Sequence, residues 1–386
     1  MNTSTDKALL PAGLSDRLAP DAAIESDARE NLVKSFIARG FDRVQTPLVE
    51  FEDSLLAGTG AAMAAQTFRL MDPVSQRMMG VRADITPQAA RIATTRLAHI
   101  ARPLRLCYSG QVLRVRGNQL RPERQFTQAG AEIIGIDNPA ADAEAVLTAV
   151  EALNELGIED IKVDLCQPMI GRHVMAELQI SDDAAAQLRD ALDSKDSAEV
   201  KALTKDLGPD AQSLFVALLE ATGTAKTAIS KIAALPLSGD AAEARDTLLG
   251  MVELIQDAAP HLSLTLDAAE NRGFEYHCGV TFTIFAPGVR GELGTGGRYM
   301  AGSSDDGATP EPATGFTLFL DSILSALPAP AEADLIYVPL GTSRDDLAML
   351  RDKGYRTRQG FDAGDKAAAK HQGCSHIFNN GTIEAL

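Results

Sequence analysis

The sequence has little that would brace it covalently or take it across a membrane. Its four cysteines, Cys107, Cys166, Cys278 and Cys374, are widely scattered, with no CxxC pair and no Cys/His ligand spacing. Neither a zinc site nor a disulfide framework is suggested, and the pattern suits a reducing cytoplasm. No apolar run reaches the roughly 18 residues needed to span a bilayer, and the polar start "MNTSTDKALLPAGLSDRLAPDAA" lacks the charged-then-apolar order of a signal peptide. A cytoplasmic protein without a membrane partner is expected. Positive charge is also scarce: 36 Lys and Arg stand against 53 Asp and Glu, a net charge of −17. This argues against a broad non-specific nucleic-acid surface while leaving tRNA open. No Walker sequence is present, and "GTGG" does not open a helix as G-x-G-x-x-G would, so dinucleotide chemistry is disfavoured. "SSDDGATPEP" reads as an acidic, turn-rich loop, and neither a metal nor a cofactor is expected.

With 386 residues, 45% of them apolar, the chain can build a large core and small appended domains. Apolar spacing predicts a helix over Asp21 to Gly40, followed by strand in "FDRVQTPLVEF", where Pro ends helical options. Arg69 to Asp84 alternates as a hairpin, and "TPQAARIATTRLAHI" places Pro at a helix start. "LRLCYSGQVLRVRG" and "RQFTQAGAEIIGID" read as paired strands joined by an Arg-rich loop. A helix over Ala141 to Leu156 and the strand "IKVDLCQ" follow. About residues 181 to 260 turn to Ala, Asp, Leu and Lys at helical spacing and read as a helical insertion, not a continuation of the sheet. Strand signals return over Leu262 to Ile284, pass a Gly-rich loop "GVRGELGTGGRYMAG" and end in "TGFTLFLDSILSAL". The predicted division is a core over 1–330 and a small α/β domain over 331–386. Strands interleaved with segregated helices indicate α+β, not a doubly wound sheet.

Four stretches, in order, resemble the catalytic core of histidyl-tRNA synthetases, a class II fold on an antiparallel sheet flanked by helices. "GFDRVQTPLVE" resembles motif 1 at the dimer interface. "LRVRGNQLRPERQFTQAGAE" resembles motif 2, the arginine-bearing hairpin facing ATP, with its Gln-x-x-x-Glu ending. "NRGFEYHCG" resembles the histidine-specific Arg-Gly-(Leu/Phe)-(Asp/Glu)-Tyr-Tyr element, and "GTGGRY" the Gly-Gly-Arg-Tyr stretch after it. A histidine pocket must pair an ammonium, orient an imidazole and cover its ring, since buried unpaired polar groups cost about 1–3 kcal/mol each. The resemblance implies that Asp84, Thr86, Gln128 and Glu132 hold the amino-acid end. It puts Tyr276 at the imidazole end, with His277 beside it, and Arg272 toward the carboxylate. The plainer alternative makes Arg272 and Glu275 a surface pair on an edge strand.

Departures from that pattern bear on ATP. Arg114 matches the motif 2 arginine, but Arg116 stands at the glutamate of Arg-x-Glu. Where motif 3 reads Gly-Leu-Glu-Arg, this chain has Phe319, Leu320, Asp321 and Ser322. Losing one charge-stabilising donor costs about 10²–10³ in rate, so Arg114, Arg116 and Ser322 are read as remnants of an ATP site and adenylation as lost. Asp84 is a methylene shorter than the family's glutamate, and His277 replaces its second tyrosine. Arg116, Arg121 and Arg124 form a basic hairpin tip that either grips phosphate or is simply solvated. His277 is read as packed and not as a base, and His371 and His376 lack ligand partners.

A damaged ATP site, a tail too short for an anticodon-binding domain and a histidine pocket together resemble the regulatory subunits of ATP phosphoribosyltransferase. By that resemblance the chain has no catalysis and no tRNA function. It would activate a short-form ATP phosphoribosyltransferase catalytic subunit, bind free histidine as effector, and act as a homodimer within a larger hetero-oligomer. A working histidyl-tRNA synthetase and a stand-alone amino-acid-binding or amino-acid-ligating paralogue are the alternatives.

Overall fold

The computed structural model describes residues 9–117, 121–270, 276–302, 309–328, 334–379 and 381–386. They divide into two compact units, Met1–Pro328 and Ala329–Leu386. The larger unit is built on a nine-stranded sheet. Its spatial order is Asp42–Arg43, Leu104–Leu113, Gln125–Ile134, Glu311–Phe319, Gly294–Ala301, His277–Phe285, Lys162–Cys166, Ser263–Asp267 and Thr222–Thr224. Neighbours run antiparallel except two parallel pairs, Asp42–Arg43 with Leu104–Leu113 at one edge and Lys162–Cys166 with Ser263–Asp267, one strand in from the other. This is the α+β arrangement on a largely antiparallel sheet that the sequence predicts.

Alternation along the central strands decides what each face carries. In Gln125–Ile134, Ala129, Ala131 and Ile133 enter the main apolar core, together with Leu32 and Phe36 of the helix Asp21–Ala38 and Val146, Ala149 and Leu153 of the helix Pro139–Glu155. Phe36 meets Phe316 edge-on, with ring centroids 5.4 Å apart. Each of the larger side chains, such as Leu32, Phe36, Ile133 and Leu153, contributes about 1.5–3 kcal/mol by leaving water, so this face is fixed by burial. The intervening residues Gln128, Gly130 and Glu132 lie on the opposite face, where Tyr108 bonds to Glu132. That face carries the polar groups.

Several expectations change. "FDRVQTPLVEF" is not one strand: Asp42–Arg43 joins the large sheet, whereas Val49–Phe51 joins a three-stranded sheet with Met78–Val81 and Phe68–Met71. Pro47, which lacks an N–H, lies in the break between them. The Gly-rich "GTGGRYMA" is not a loop but the strand Gly294–Ala301, paired on both sides. The strand signal over Leu262 to Ile284 resolves into Ser263–Asp267 and His277–Phe285. Residues 181–260 are mostly helical, in Asp182–Asp193, Ser197–Leu203, Pro209–Glu220, Ala225–Ala233 and Gly239–Ala258. Yet Thr222–Thr224 pairs with Ser263–Asp267 at the sheet edge, and Leu188, Phe215 and Leu248 share the main core with Leu165 and Phe282. The segment is thus the expected helical insertion, adding one short edge strand and packing into the main core.

The smaller unit has a four-stranded sheet ordered Arg356–Gln359, Leu335–Val338, His376–Asn379 and Thr382–Ala385, with helices Arg344–Asp352 and Lys366–His371. Ile336, Val338, Leu347, Leu350 and Phe378 form one of its cores. Among the described residues no helix is long and apolar enough to cross a membrane.

Candidate functional site

The polar face of the sheet closes over Glu132. Its side chain is 1% exposed, and its two oxygens accept hydrogen bonds from the Tyr108 hydroxyl at 2.9 Å and the Tyr299 hydroxyl at 3.0 Å. Room for that carboxylate comes from the adjacent strand: Gly315 is its register partner, and a Cβ there would lie 1.8 Å from Glu132 Oε2. Gly130 makes the same concession to Tyr108, whose hydroxyl would sit 2.6 Å from an added Cβ. Tyr108 also contacts the hydroxyls of Thr86 at 2.9 Å and Thr317 at 3.1 Å. Burial pushes the Glu132 carboxyl up to about 8, against the hydrogen bonds from Tyr108, Tyr299 and Thr86 that favour its charged form. Burial likewise raises the Tyr108, Tyr276 and Tyr299 hydroxyls well above their ordinary range.

Asp84 stands at the start of the helix Thr86–Thr94. One oxygen accepts from the Thr86 N–H at 2.9 Å and the other from Gln128 Nε2 at 2.9 Å, while Gln128 Oε1 accepts from the Ile85 N–H at 3.1 Å. Gln128 thus locks the carboxylate by satisfying its own amide on both ends. Arg114 Nη2 lies 3.7 Å from Asp84 Oδ2, and its Nε donates to the Ala83 carbonyl at 3.2 Å. A narrow cleft, with about 20 Å³ of free space, is lined by Asp84, Thr86, Glu132, Tyr276, His277 and Tyr299, among others. The Tyr276 ring lies 4.5 Å from His277 and meets Tyr299 edge-on at 5.9 Å. Five of the predicted pocket residues, Asp84, Thr86, Glu132, Tyr276 and His277, therefore line one cleft, and Gln128 supports it from behind. Arg272 and Glu275 fall outside the described residues. Two carboxyl groups, hydroxyl donors and ring faces together suit a small ligand with a cationic group and a flat ring.

Arg114, which reaches Asp84, also borders a second narrow cleft, with about 50 Å³ of free space. Arg116, Arg121, Gln66, Glu123 and Phe126 line it as well. Arg116 is exposed, and its backbone N–H donates to Gln66 Oε1 at 3.3 Å. Arg121 is neither solvated nor an open phosphate grip, because it is 6% exposed. Its Nε bonds Asp321 at 2.8 Å, and its Nη2 reaches the Ser322 hydroxyl at 3.2 Å and the Glu292 carboxylate at 3.3 Å. Burial raises the Asp321 carboxyl, which Arg121 opposes. Arg124 instead ties the chain locally, donating to the carbonyls of Arg114 at 3.2 Å and Ala12 at 3.1 Å.

Tyr108, Thr317 and Gly315 were not singled out in the sequence, although period-two alternation puts Tyr108 on the face of Leu106 and Gly110, and Gly315 and Thr317 on the face of Ala313. Tyr299 ends the Gly-Gly-Arg-Tyr stretch. Arg298 from the same motif turns to the other face, where Asp142 at 2.9 Å, Asp137 at 2.8 Å and the carbonyls of Ile136 and Asn138 hold it. His376 sits 3.4 Å from Asp334 in the smaller unit, and His371 ends the helix Lys366–His371 there.

Comparisons with known proteins give a consistent result. Residues 13–323 match the histidyl-tRNA synthetase family. An ATP phosphoribosyltransferase regulatory subunit of Paramagnetospirillum magneticum is 50% identical over 387 residues, covering 100% of both chains. Among solved structures, an ATP phosphoribosyltransferase regulatory subunit/histidyl-tRNA synthetase from Bacillus halodurans superposes with a TM-score of 0.80 at 22% identity, covering 94% of this chain and 96% of its own. A histidyl-tRNA synthetase from Nostoc superposes with a TM-score of 0.78 at 19% identity, covering 96% and 90%.

Proposed function

The chain belongs to the ATP phosphoribosyltransferase regulatory subunit family, on a histidyl-tRNA synthetase-like fold, and from that premise we propose how it works. It carries no catalysis of its own. It associates with a short-form catalytic subunit that joins ATP to phosphoribosyl pyrophosphate, activates that subunit, and contributes to feedback inhibition by histidine. The observation that carries this reading is the 50% identity to a regulatory subunit along the whole of both chains. The site supports it, since the ammonium of histidine would meet Asp84 and Glu132 and its imidazole would meet Tyr276 and His277. Arg272 is assigned to the carboxylate on the motif alone. The shorter Asp84 and the replacement of a tyrosine by His277 tune this pocket away from a synthetase's.

Histidine acts by linkage: binding one state of the assembly better than another shifts its population, with a coupling typically of about 1–3 kcal/mol. The motif 1 likeness assigns a homodimer within a cytoplasmic hetero-oligomer. The unit Ala329–Leu386 is read as a shortened counterpart of an anticodon-binding domain, without a tRNA role. The deciding experiment measures phosphoribosyl-ATP formation by a short catalytic subunit with and without this chain, alongside histidine-dependent ATP–pyrophosphate exchange by the chain alone. Activation without exchange is the expected outcome. Exchange without activation would make the chain a synthetase with a different ATP clamp.

A further inference from the structure

Phe126 and Phe319 come from strands that are neighbours only after folding, and they meet nearly at right angles with centroids 6.0 Å apart. Both rings are almost fully buried, at 3% and 5% exposure. The Arg121 guanidinium lies in the corner between them, 3.8 Å over the Phe319 centroid and 5.3 Å from that of Phe126. A guanidinium is flat, carries delocalised charge and stacks on aromatic faces, so it covers a ring much as another planar group would. Its edges are satisfied by Asp321, Ser322 and Glu292. The same cleft is lined by Arg116 and Arg114, whose buried Nη2 lies 3.7 Å from Asp84 and makes no hydrogen bond among the described residues. Ring faces beside guanidinium groups make up the recognition chemistry of a planar heterocycle bearing phosphates. In this chain the ring position is filled by its own arginine.

We infer that Arg121 is an internal occupant of a latent nucleotide cleft, holding the Phe126–Phe319 corner closed against a planar base. The lost adenylation follows from this occupation as well as from the missing motif 3 arginine. The serine at 322 supports the change, since its small hydroxyl accepts Arg121 where an arginine would repel it. The inference rests on the regulatory reading only in leaving this cleft unused by adenylation.

The test measures equilibrium binding of ATP, and of adenosine as its charge-free counterpart, to the full chain and to Arg121→Ala and Arg121→Gln variants with cooperative melts. Wild type is expected to bind neither at millimolar concentration. The variants should gain affinity by about tenfold or more, the scale of one base stacked on an aromatic ring, and Arg116→Ala in the variant background should weaken ATP more than adenosine. Wild type binding as tightly as the variants, or folded variants binding neither probe, would overturn the inference. Should both variants fail to fold, phenylglyoxal labelling of wild type with mass-spectrometric readout decides. Arg116 should be modified and Arg121 protected, and equal labelling refutes the occupation. Failure of the partner assay with gained binding in Arg121→Ala would overturn the regulatory reading and leave this inference standing.

Discussion

Glu132→Gln keeps the shape of the side chain beneath the two tyrosines and removes its titration. The wild-type carboxyl moves from an ordinary value of 4.5 to about 8 on folding. Between those values the unfolded chain has released its proton while the folded chain retains it, so native stability falls as pH rises. The slope is roughly 1 kcal/mol per pH unit for one proton, which amounts to a few kcal/mol across the window before levelling off above about pH 8. Glutamine has no such slope, and the tyrosine hydroxyls can rotate to accept from its amide. Urea unfolding followed by far-UV circular dichroism, at several pH values from 5 to about 8.5, should show the variant gaining on wild type as pH rises and then holding a constant lead. Other titrating groups cancel in the difference. Parallel stability curves would refute the claim that the buried carboxyl stays protonated near neutrality, and with it the electrostatic account of the cleft.

Further consequences can be checked separately. Because an ammonium draws Glu132 into its charged form, histidine binding below pH 8 should release a proton, seen in calorimetry as heats that vary with the buffer's ionisation enthalpy; buffer-independent heats would contradict it. Asp84→Asn and Gln128→Leu should each weaken histidine binding about tenfold or more, since one loses a charge and the other the amide that orients it; unchanged titration curves would argue for another site. Gly315→Ala should destabilise the fold by about 1–3 kcal/mol in denaturant titrations, because its Cβ runs into the Glu132 carboxylate. Arg298→Met should cost about 3–5 kcal/mol, through the buried Asp142 it leaves unpaired.

Much of the site was legible because two rules coincide in the strand Gln125–Ile134. Its small and apolar odd positions mark the core, and the polar Gln128 and Glu132 then share the other face. The helix Asp21–Ala38 was legible for the same reason, through Leu32 and Phe36 at buried spacing. The misreadings also have physical causes. Glycines in "GTGG" suggested a turn, but the strand needs them because the Phe282 ring and the Gly315 carbonyl leave Gly296 no room for a side chain. Thr222–Thr224 is too short to show a period. The burial of Arg121 depends on Asp321 and Ser322, about 200 residues away in the chain. No local pattern reports such a contact.

The two-faced central sheet also determines how this protein tolerates change. On the proposed histidine-binding role, neighbouring positions on one strand answer to different tests: Ala129, Ala131 and Ile133 mainly to whether the chain folds, Gln128 and Glu132 also to whether it holds the ligand. A saturation survey scored for both abundance and effector response should therefore show stripes two residues wide in period, in opposite phase for the two scores. Drift on the polar face can retune or erase an effector while abundance is preserved. A fold of this kind can change what it senses one alternate residue at a time.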